Sequence, residues 1–249
     1  MLEVRSLGKR FGGITALDDV TLTFPAGKVT GLVGPNGAGK TTLFNAITGL
    51  LRPSAGAVLM DGRDVTFSPP QRMARLGIGR SFQHTRIAQK LTVLQNVLLA
   101  NPAVNDRVLP MMLLSRARLK ELHAEARSHL ELVGLGQVAE RRTDQLGFGE
   151  QRVAMIAALI ASGARTLLLD EPTGGIDPAA RGRILDLVLK LRDLGRTVVL
   201  IEHNLDVIRG TSDDVVFLAQ GRVMARGTAA EIEADPALAS LYFGASVHA

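Results

Sequence analysis

Apolar and polar positions along this 249-residue chain change rhythm as it proceeds. Residues 2–5 and 15–24 alternate with period 2, the pattern of half-buried strands, and Pro25-Ala26-Gly27-Lys28 turns the chain between them and the next element. Val29-Thr30-Gly31-Leu32-Val33 then reads as a buried strand, and Thr41 to Thr48 as a helix start. Arg52-Pro53-Ser54-Ala55-Gly56 breaks the chain, Ala57 to Met60 forms a strand closed by Asp61-Gly62, and residues 77–82 suggest another strand ending at Ser81-Phe82-Gln83-His84. From about 84 to 145 helical spacing takes over, clearest in Val93 to Leu98 and in Leu119 to Val133. This stretch is expected to be an all-α insertion. Its segment Val108-Leu109-Pro110-Met111-Met112-Leu113-Leu114 either packs within that lobe or presents an adaptable docking surface.

The β/α rhythm resumes near residue 149. A helix is expected from Gly149 to Ala161, a strand from Thr166 to Asp170, a helix from Pro178 to Leu194, and a strand from Thr197 to Ile201 that ends at Glu202-His203. A helix near 204–210, short strands Val215 to Ala219 and Arg222 to Ala225, and a helical tail to Tyr242 complete the pattern. Continuous apolar strands between amphipathic helices predict an α/β fold with a parallel sheet covered on both faces. No repeat or linker divides the chain, so it reads as a single domain.

Composition narrows the setting. A hydrophobic content of 46% in a chain of this length supplies a sizeable core. There is no cysteine, which excludes disulfides and thiolate metal sites. The N-terminus, Met1-Leu2-Glu3-Val4-Arg5, lacks the apolar run of a signal peptide, and the longest clear apolar run, Val153 to Ala161, is too short to span a bilayer. The net charge of +5 is scattered, with Arg72, Arg75 and Arg80 the nearest approach to a cluster. One Tyr and no Trp supply base stacking poorly. The charge reads as a mostly solvated surface suited to work beside a membrane face.

Chemistry concentrates at Gly34-Pro35-Asn36-Gly37-Ala38-Gly39-Lys40-Thr41-Thr42, which fits G-x-x-x-x-G-K-S/T between a strand and a helix. Small residues let backbone N–H groups turn inward, and the helix N-terminus adds partial positive charge. Lys40 is expected to reach the β- and γ-phosphates of a nucleotide, and the Thr41 hydroxyl to ligand Mg²⁺. Leu167-Leu168-Leu169-Asp170-Glu171 delivers two carboxylates at a strand's C-terminal edge, where open α/β sheets place ligands. Asp170 suits Mg²⁺, directly or through water; Glu171 faces elsewhere and suits polarising an attacking water. Phe11, in the loop Lys9 to Gly13, is either a core residue at a hairpin end or an aromatic that stacks on a purine.

These motifs, with Gln83, Leu146-Gly147-Phe148-Gly149-Glu150-Gln151, Asp177 and His203, occur in one order that resembles the nucleotide-binding subunit of an ABC transporter over the whole chain. The variant signature, the insertion and the ending Tyr242-Phe243-Gly244 look most like the branched-chain amino acid importer group. The resemblance implies a P-loop cassette with an antiparallel N-terminal β subdomain. Its core comprises residues 1–83 and 146–249, its inserted helical lobe residues 84–145, and its helical tail begins near residue 228. It implies ATP and Mg²⁺ as cofactors. Phe11 would stack on adenine, Gln83 would touch the metal and the attacking water, Asp177 would lie in a loop crossing a dimer interface, and His203 would contact the γ-phosphate and align Glu171. The family pattern L-S-G-G-Q is altered here: Gly147, Phe148 and Glu150 replace three of its residues, while Gly149 and the following helix keep the backbone that meets a partner's phosphate.

The same resemblance implies a second nucleotide-binding subunit (an identical copy or a paralogue), two transmembrane permease subunits, a solute-binding protein reached indirectly, and a peripheral place on the cytoplasmic face of the membrane. A soluble ABC-type ATPase acting on nucleic acid or ribosomes is the alternative, but long coiled-coil arms and a second cassette are both missing from the sequence. A nucleotide sensor without turnover conflicts with an intact Glu171 and His203. Cargo is not written in these residues; amino acids follow from resemblance, with urea or lipid as alternatives.

Overall fold

The computed structural model describes residues 1–81, 87–105 and 115–244. Its first strands form an antiparallel sheet in the order β2 (Ile14–Phe24), β1 (Leu2–Phe11), β4 (Ala55–Met60), β5 (Arg63–Asp64). β1 runs through Lys9-Arg10-Phe11, which the alternation assigns to a loop. The register with β2 shifts between Val4 and Leu7 and twice more before Arg10, and Ser6 sits at φ 45°, so bulges break the period-2 pattern without ending the strand.

A second sheet has the order β10 (Arg222–Gly227), β9 (Asp214–Ala219), β3 (Val29–Val33), β8 (Thr197–Ile201), β7 (Thr166–Asp170), β6 (Ile78–Arg80). All neighbours pair in parallel except β9 and β10. Every residue of β3, β7 and β8 is buried, as expected of a sheet covered on both faces. One face, through Leu32, Leu168, Val199 and Ile201, shares a core with the antiparallel sheet and with Leu43, Phe44 and Ile47 of helix α1 (Lys40–Ile47). The opposite face, through Val29, Leu167, Leu169 and Val198, packs on Ile156 and Ala157 of α6 (Phe148–Ala161) and on Ile184 and Val188 of α7 (Pro178–Asp193).

Between β6 and α6 the described elements are helical: α3 (Val93–Ala100), α4 (Pro102–Asn105), α5 (Arg116–Leu132) and two short 3₁₀ turns. Leu122, Ala126 and Leu130 of α5 and Val93, Leu94 and Val97 of α3 extend the same core that covers the sheet. Thr92 opens α3 with a reciprocal cap: Gln95 N–H donates to its hydroxyl, and Thr92 N–H donates to the Gln95 side chain. Residues 106–114, including the Met-rich segment, lie outside the described residues. Two elements have no counterpart in the sequence pattern: the two-residue β5, and α2 (Pro70–Arg75), a six-residue helix that buries only Met73. The chain closes with α8 (Leu205–Thr211), α9 (Ala229–Ala234) and α10 (Pro236–Gly244). No helix among the described residues is long and apolar enough to cross a membrane.

Candidate functional site

The strand–loop–helix of residues 29–47 sits at the centre of the sheet, with the loop at the C-terminal ends of β3 and β8. α1 starts at Lys40 behind Gly39, which caps it at φ 105° with no side-chain hydrogen bond, and its first turn has no acid. Its leading N–H groups are therefore left for an anion, as at other helix N-termini that hold phosphate. Gly34 is required by space as well as by its φ of 146°, since a Cβ there would lie 1.9 Å from the Leu218 carbonyl oxygen. Lys40 is buried, and its ammonium donates to the carbonyls of Gly34 at 2.6 Å and Pro35 at 2.9 Å. Burial lowers its pKa, opposed by Glu171 and then Asp170. Asn36, Gly37, Ala38, Gly39, Lys40, Thr41 and Thr42 line a cavity of about 180 Å³ together with Ala16, Glu171, Ile201 and His203.

Thus Glu171, expected to polarise the attacking water, and His203, expected to align it, face the phosphate loop from the ends of neighbouring strands. His203 Nε2 lies 2.8 Å from Glu171 Oε1. Glu171 has φ 48°, a left-handed backbone uncommon for a non-glycine residue. It is fixed by its N–H donating to Ile201 O at 2.9 Å and by its carbonyl accepting from Gly174 at 3.1 Å. Strain of this kind gathers where a side chain must be aimed.

Behind this pair lies a residue that the sequence reading passed over. Glu202 is buried and accepts from Thr173 N–H at 2.9 Å and its hydroxyl at 2.7 Å, tying the 171–173 turn to β8. Burial raises its pKa in spite of those bonds. A carboxyl raised in the folded state stabilises relative to its ionised form at low pH, and that contribution is lost as pH rises through the folded value. Glu202→Gln keeps an acceptor for Thr173 N–H and removes the buried charge. At pH 7 it is expected to melt about 2–4 °C above the parent for about 1 kcal/mol. The gain should fade as pH falls toward the ordinary glutamate value of 4.5. Thermal melts across that range check this, and a gain that persists at low pH would contradict it.

Residues 146–151 begin α6 one residue earlier than the sequence pattern indicates, at Phe148. Gly147 is the cap, and its N–H donates to Glu150 Oε2 at 3.1 Å, so the carboxylate that replaces the family glutamine occupies one donor of the signature itself. Phe148 is 76% exposed. Gly149 is needed for packing: a Cβ there would come within 2.5 Å of Ala180 Cβ, so the first turns of α6 and α7 touch. Asp177 is exposed and caps α7, accepting from Ala180 N–H at 2.9 Å, and that bond holds its carboxyl below the usual range. Two helix N-termini with flanking carboxylates thus lie side by side, and their residues do not line the Lys40 cavity.

Phe11 ends β1 at the tip of a hairpin, 48% exposed, with the Lys9 ammonium 4.9 Å from its ring centroid; it does not line the cavity. Gln83 lies outside the described residues. Asp170 is buried, and its Oδ2 accepts from Arg80 at 2.9 Å. Arg80 is accordingly no part of a solvated cluster with Arg72 and Arg75, as the charge pattern suggests; its side chain is 6% exposed. Among the described residues no three His, Cys, Asp or Glu side chains gather to hold a metal. Thr41 lines the cavity, and Asp170, which does not, is near enough for its charge to act on Lys40; a hydroxyl and a carboxylate suit Mg²⁺, which is usually held by one or two protein ligands together with substrate phosphates.

A model of the ABC transporter family matches residues 17–174. The chain is 35% identical over 249 aligned positions to the high-affinity branched-chain amino acid transport ATP-binding protein LivG of Salmonella typhimurium, covering 98% of each chain. It is 36% identical to BraF of Pseudomonas aeruginosa, of the same description, again over 98% of each. Among solved structures, a nucleotide-free ATP-binding cassette from an ABC transporter matches with TM-score 0.87 and 28% identity over 97% of this chain and 98% of that one. The ADP conformation of such a cassette matches with TM-score 0.86 and 28% identity, covering 98% of both. A dimeric cassette in a post-hydrolysis state, bound to ADP and Pi, matches with TM-score 0.77 and 28% identity over 92% of this chain and 99% of that one.

Proposed function

The chain belongs to the ABC transporter family as a nucleotide-binding ATPase subunit, and from that premise we propose that it powers uptake of a branched-chain amino acid, paired with a second such subunit beneath two permease subunits. The observation that carries the ATPase half of this reading is the 2.8 Å contact of His203 with Glu171, facing the loop of Lys40 across one cavity. Its cargo half is supported by the full-length likeness to LivG and BraF, whose names specify branched-chain amino acids.

In this reading the N–H groups of residues 36–42 and the Lys40 ammonium hold the β- and γ-phosphates of ATP. Thr41 and Asp170, with Gln83, would hold Mg²⁺, which when bound would neutralise charge building on those phosphates. Glu171 accepts a proton from the attacking water while His203 fixes the carboxylate and reaches the γ-phosphate. The second subunit, an identical copy or a paralogue, brings its residues 147–150 and Asp177 to close the other side of the nucleotide, and Phe11 stacks on the adenine. Since half of each site comes from the partner, isolated subunits hydrolyse slowly. ATP can drive closure only by its greater affinity for the closed pair.

The permease contact falls to the helical lobe and its border with the core. A groove of about 350 Å³ there is lined by Leu50, Met73, Ala74, Ala100, Met155 and Leu159 among others. The subunit lies peripherally on the cytoplasmic face, and a solute-binding protein acts on it only through the permease. Nucleic acid has no role.

Reconstitution into liposomes with its permease subunits and binding protein tests this. ATP turnover should rise several-fold when leucine, isoleucine or valine loads the binding protein. Stimulation by urea or methionine alone would overturn the cargo, and co-purification with nucleic acid in place of a membrane protein would overturn the transporter reading.

A further inference from the structure

Arg80 is the one member of the sequence's basic trio whose side chain the fold buries, and it has been given no part so far in nucleotide binding or hydrolysis. It ends β6, beside the strand that carries Asp170. Its two terminal nitrogens go to different elements: Nη2 donates to Asp170 Oδ2 at 2.9 Å, and Nη1 to Asn45 Oδ1 at 2.5 Å. The guanidinium carbon lies 5.5 Å from the centroid of the Phe44 ring, which is fully buried. Both members of the ion pair have side chains 6% exposed. Planar, always charged and forked, a guanidinium held on three sides fixes the spacing of the groups it joins in a way that a flexible ammonium does not.

Those groups have a common destination. Asn45 stands four residues after Thr41 on α1, one helical turn away on the same face. Asp170 ends β7. Arg80 therefore cross-links the helix that carries Thr41 to the strand that carries Asp170, the two protein oxygens that fit Mg²⁺. That ion requires a near-octahedral shell at short distances and tolerates little drift between its ligands.

We propose that Arg80 is a positioning residue for the metal side of the site: by joining Asn45 and Asp170 it sets the spacing of Thr41 and the Asp170 carboxylate, and so the strengthening of nucleotide binding by Mg²⁺. The proposal rests on the reading of Asp170 as the metal-side carboxylate. A residue that serves folding alone would, when replaced, weaken nucleotide binding equally with and without the metal.

The full-length protein is titrated with fluorescent ADP in Mg²⁺ and in EDTA, and the ratio of the two affinities is read for the parent, Arg80→Met, Arg80→Lys and Asp170→Asn. For Arg80→Met the ratio should fall at least ten-fold while the affinity in EDTA stays within about two-fold of the parent. Arg80→Lys, which keeps charge and bulk but not the fork, should lose at least three-fold in the ratio. If Arg80→Met does not fold, Arg80→Lys alone decides. An unchanged or larger ratio, or affinities that fall together in both buffers, would overturn the proposal. Asp170→Asn separates the two readings. If it leaves the ratio intact, the metal-side assignment itself fails; if it collapses the ratio while the Arg80 variants do not, only the role of Arg80 fails.

Discussion

Glu171→Gln is expected to lower steady-state ATP turnover of the assembled complex by about 10²–10⁴-fold, the usual contribution of a positioned general base. The substitution is nearly isosteric. An amide oxygen can still meet His203 Nε2, now 2.8 Å from Glu171 Oε1, and the left-handed backbone at φ 48° places the new side chain where the old one was. What disappears is the capacity to take a proton from water. Binding should persist, because the phosphate loop and Lys40 are untouched, so ATP-bound pairs of subunits should accumulate and be visible by sedimentation. His203→Ala should cost less, since it removes an orienting contact and leaves the base. Turnover unchanged by Glu171→Gln would remove that residue from the chemistry, and a lost ATP-dependent pair would show that its role lies in binding.

How far the sequence disclosed this arrangement depends on the physics of each element. β7 and β8 are legible to the residue because both are short apolar runs buried on both faces, and nothing inside them interrupts the pattern. β1 is half legible: its bulges shift side chains from face to face, and alternation is the only signal a sequence reading can use there. α2 is invisible because six residues with one buried side chain carry no periodicity. The phosphate loop is disclosed by its motif spacing, Glu171 by its place at the end of an apolar strand and His203 by the family resemblance, and the fold brings them to one cavity.

What spacing could not disclose is pairing between distant residues. The role of Gly149 as a packing residue against Ala180, 31 positions on, exists only once α6 lies beside α7. Arg80 reads as surface charge until β6 is known to neighbour β7. Glu202 lies next to His203 in sequence and could have been suspected, but a carboxylate at a strand end gives no sign of burial until the 171–173 turn folds over it. The Glu150 contact with Gly147 has a local signal, since a glutamate three residues after a helix cap commonly reaches back to it.

Lys40→Ala should weaken ATP binding by about two to three orders of magnitude, from hydrogen bonds to a charged acceptor at about 1.5–3 kcal/mol each. Before nucleotide arrives, the ammonium is held by Gly34 O and Pro35 O, so it is stored in the loop, close to where phosphates would enter. The loop does not depend on it alone, because Ala38 N–H also donates to Pro35 O at 3.2 Å and Gly221 N–H to Ala38 O at 3.0 Å. The variant should therefore fold, and AMP, which lacks the phosphates that Lys40 reaches, should bind almost as before. The same group gives a pH signature. Burial lowers its pKa from the ordinary 10.5. The empty protein then gains stability as pH rises through the lowered value, because the unfolded chain binds the proton more tightly. ATP affinity moves the opposite way and falls as the ammonium is lost, beginning at a lower pH than an ordinary lysine would give. Lys40→Ala should flatten that alkaline decline, and calorimetric titrations from pH 7 upward would measure it. ATP affinity within about three-fold of the parent would separate Lys40 from the phosphates, since even one charged hydrogen bond is worth more than that.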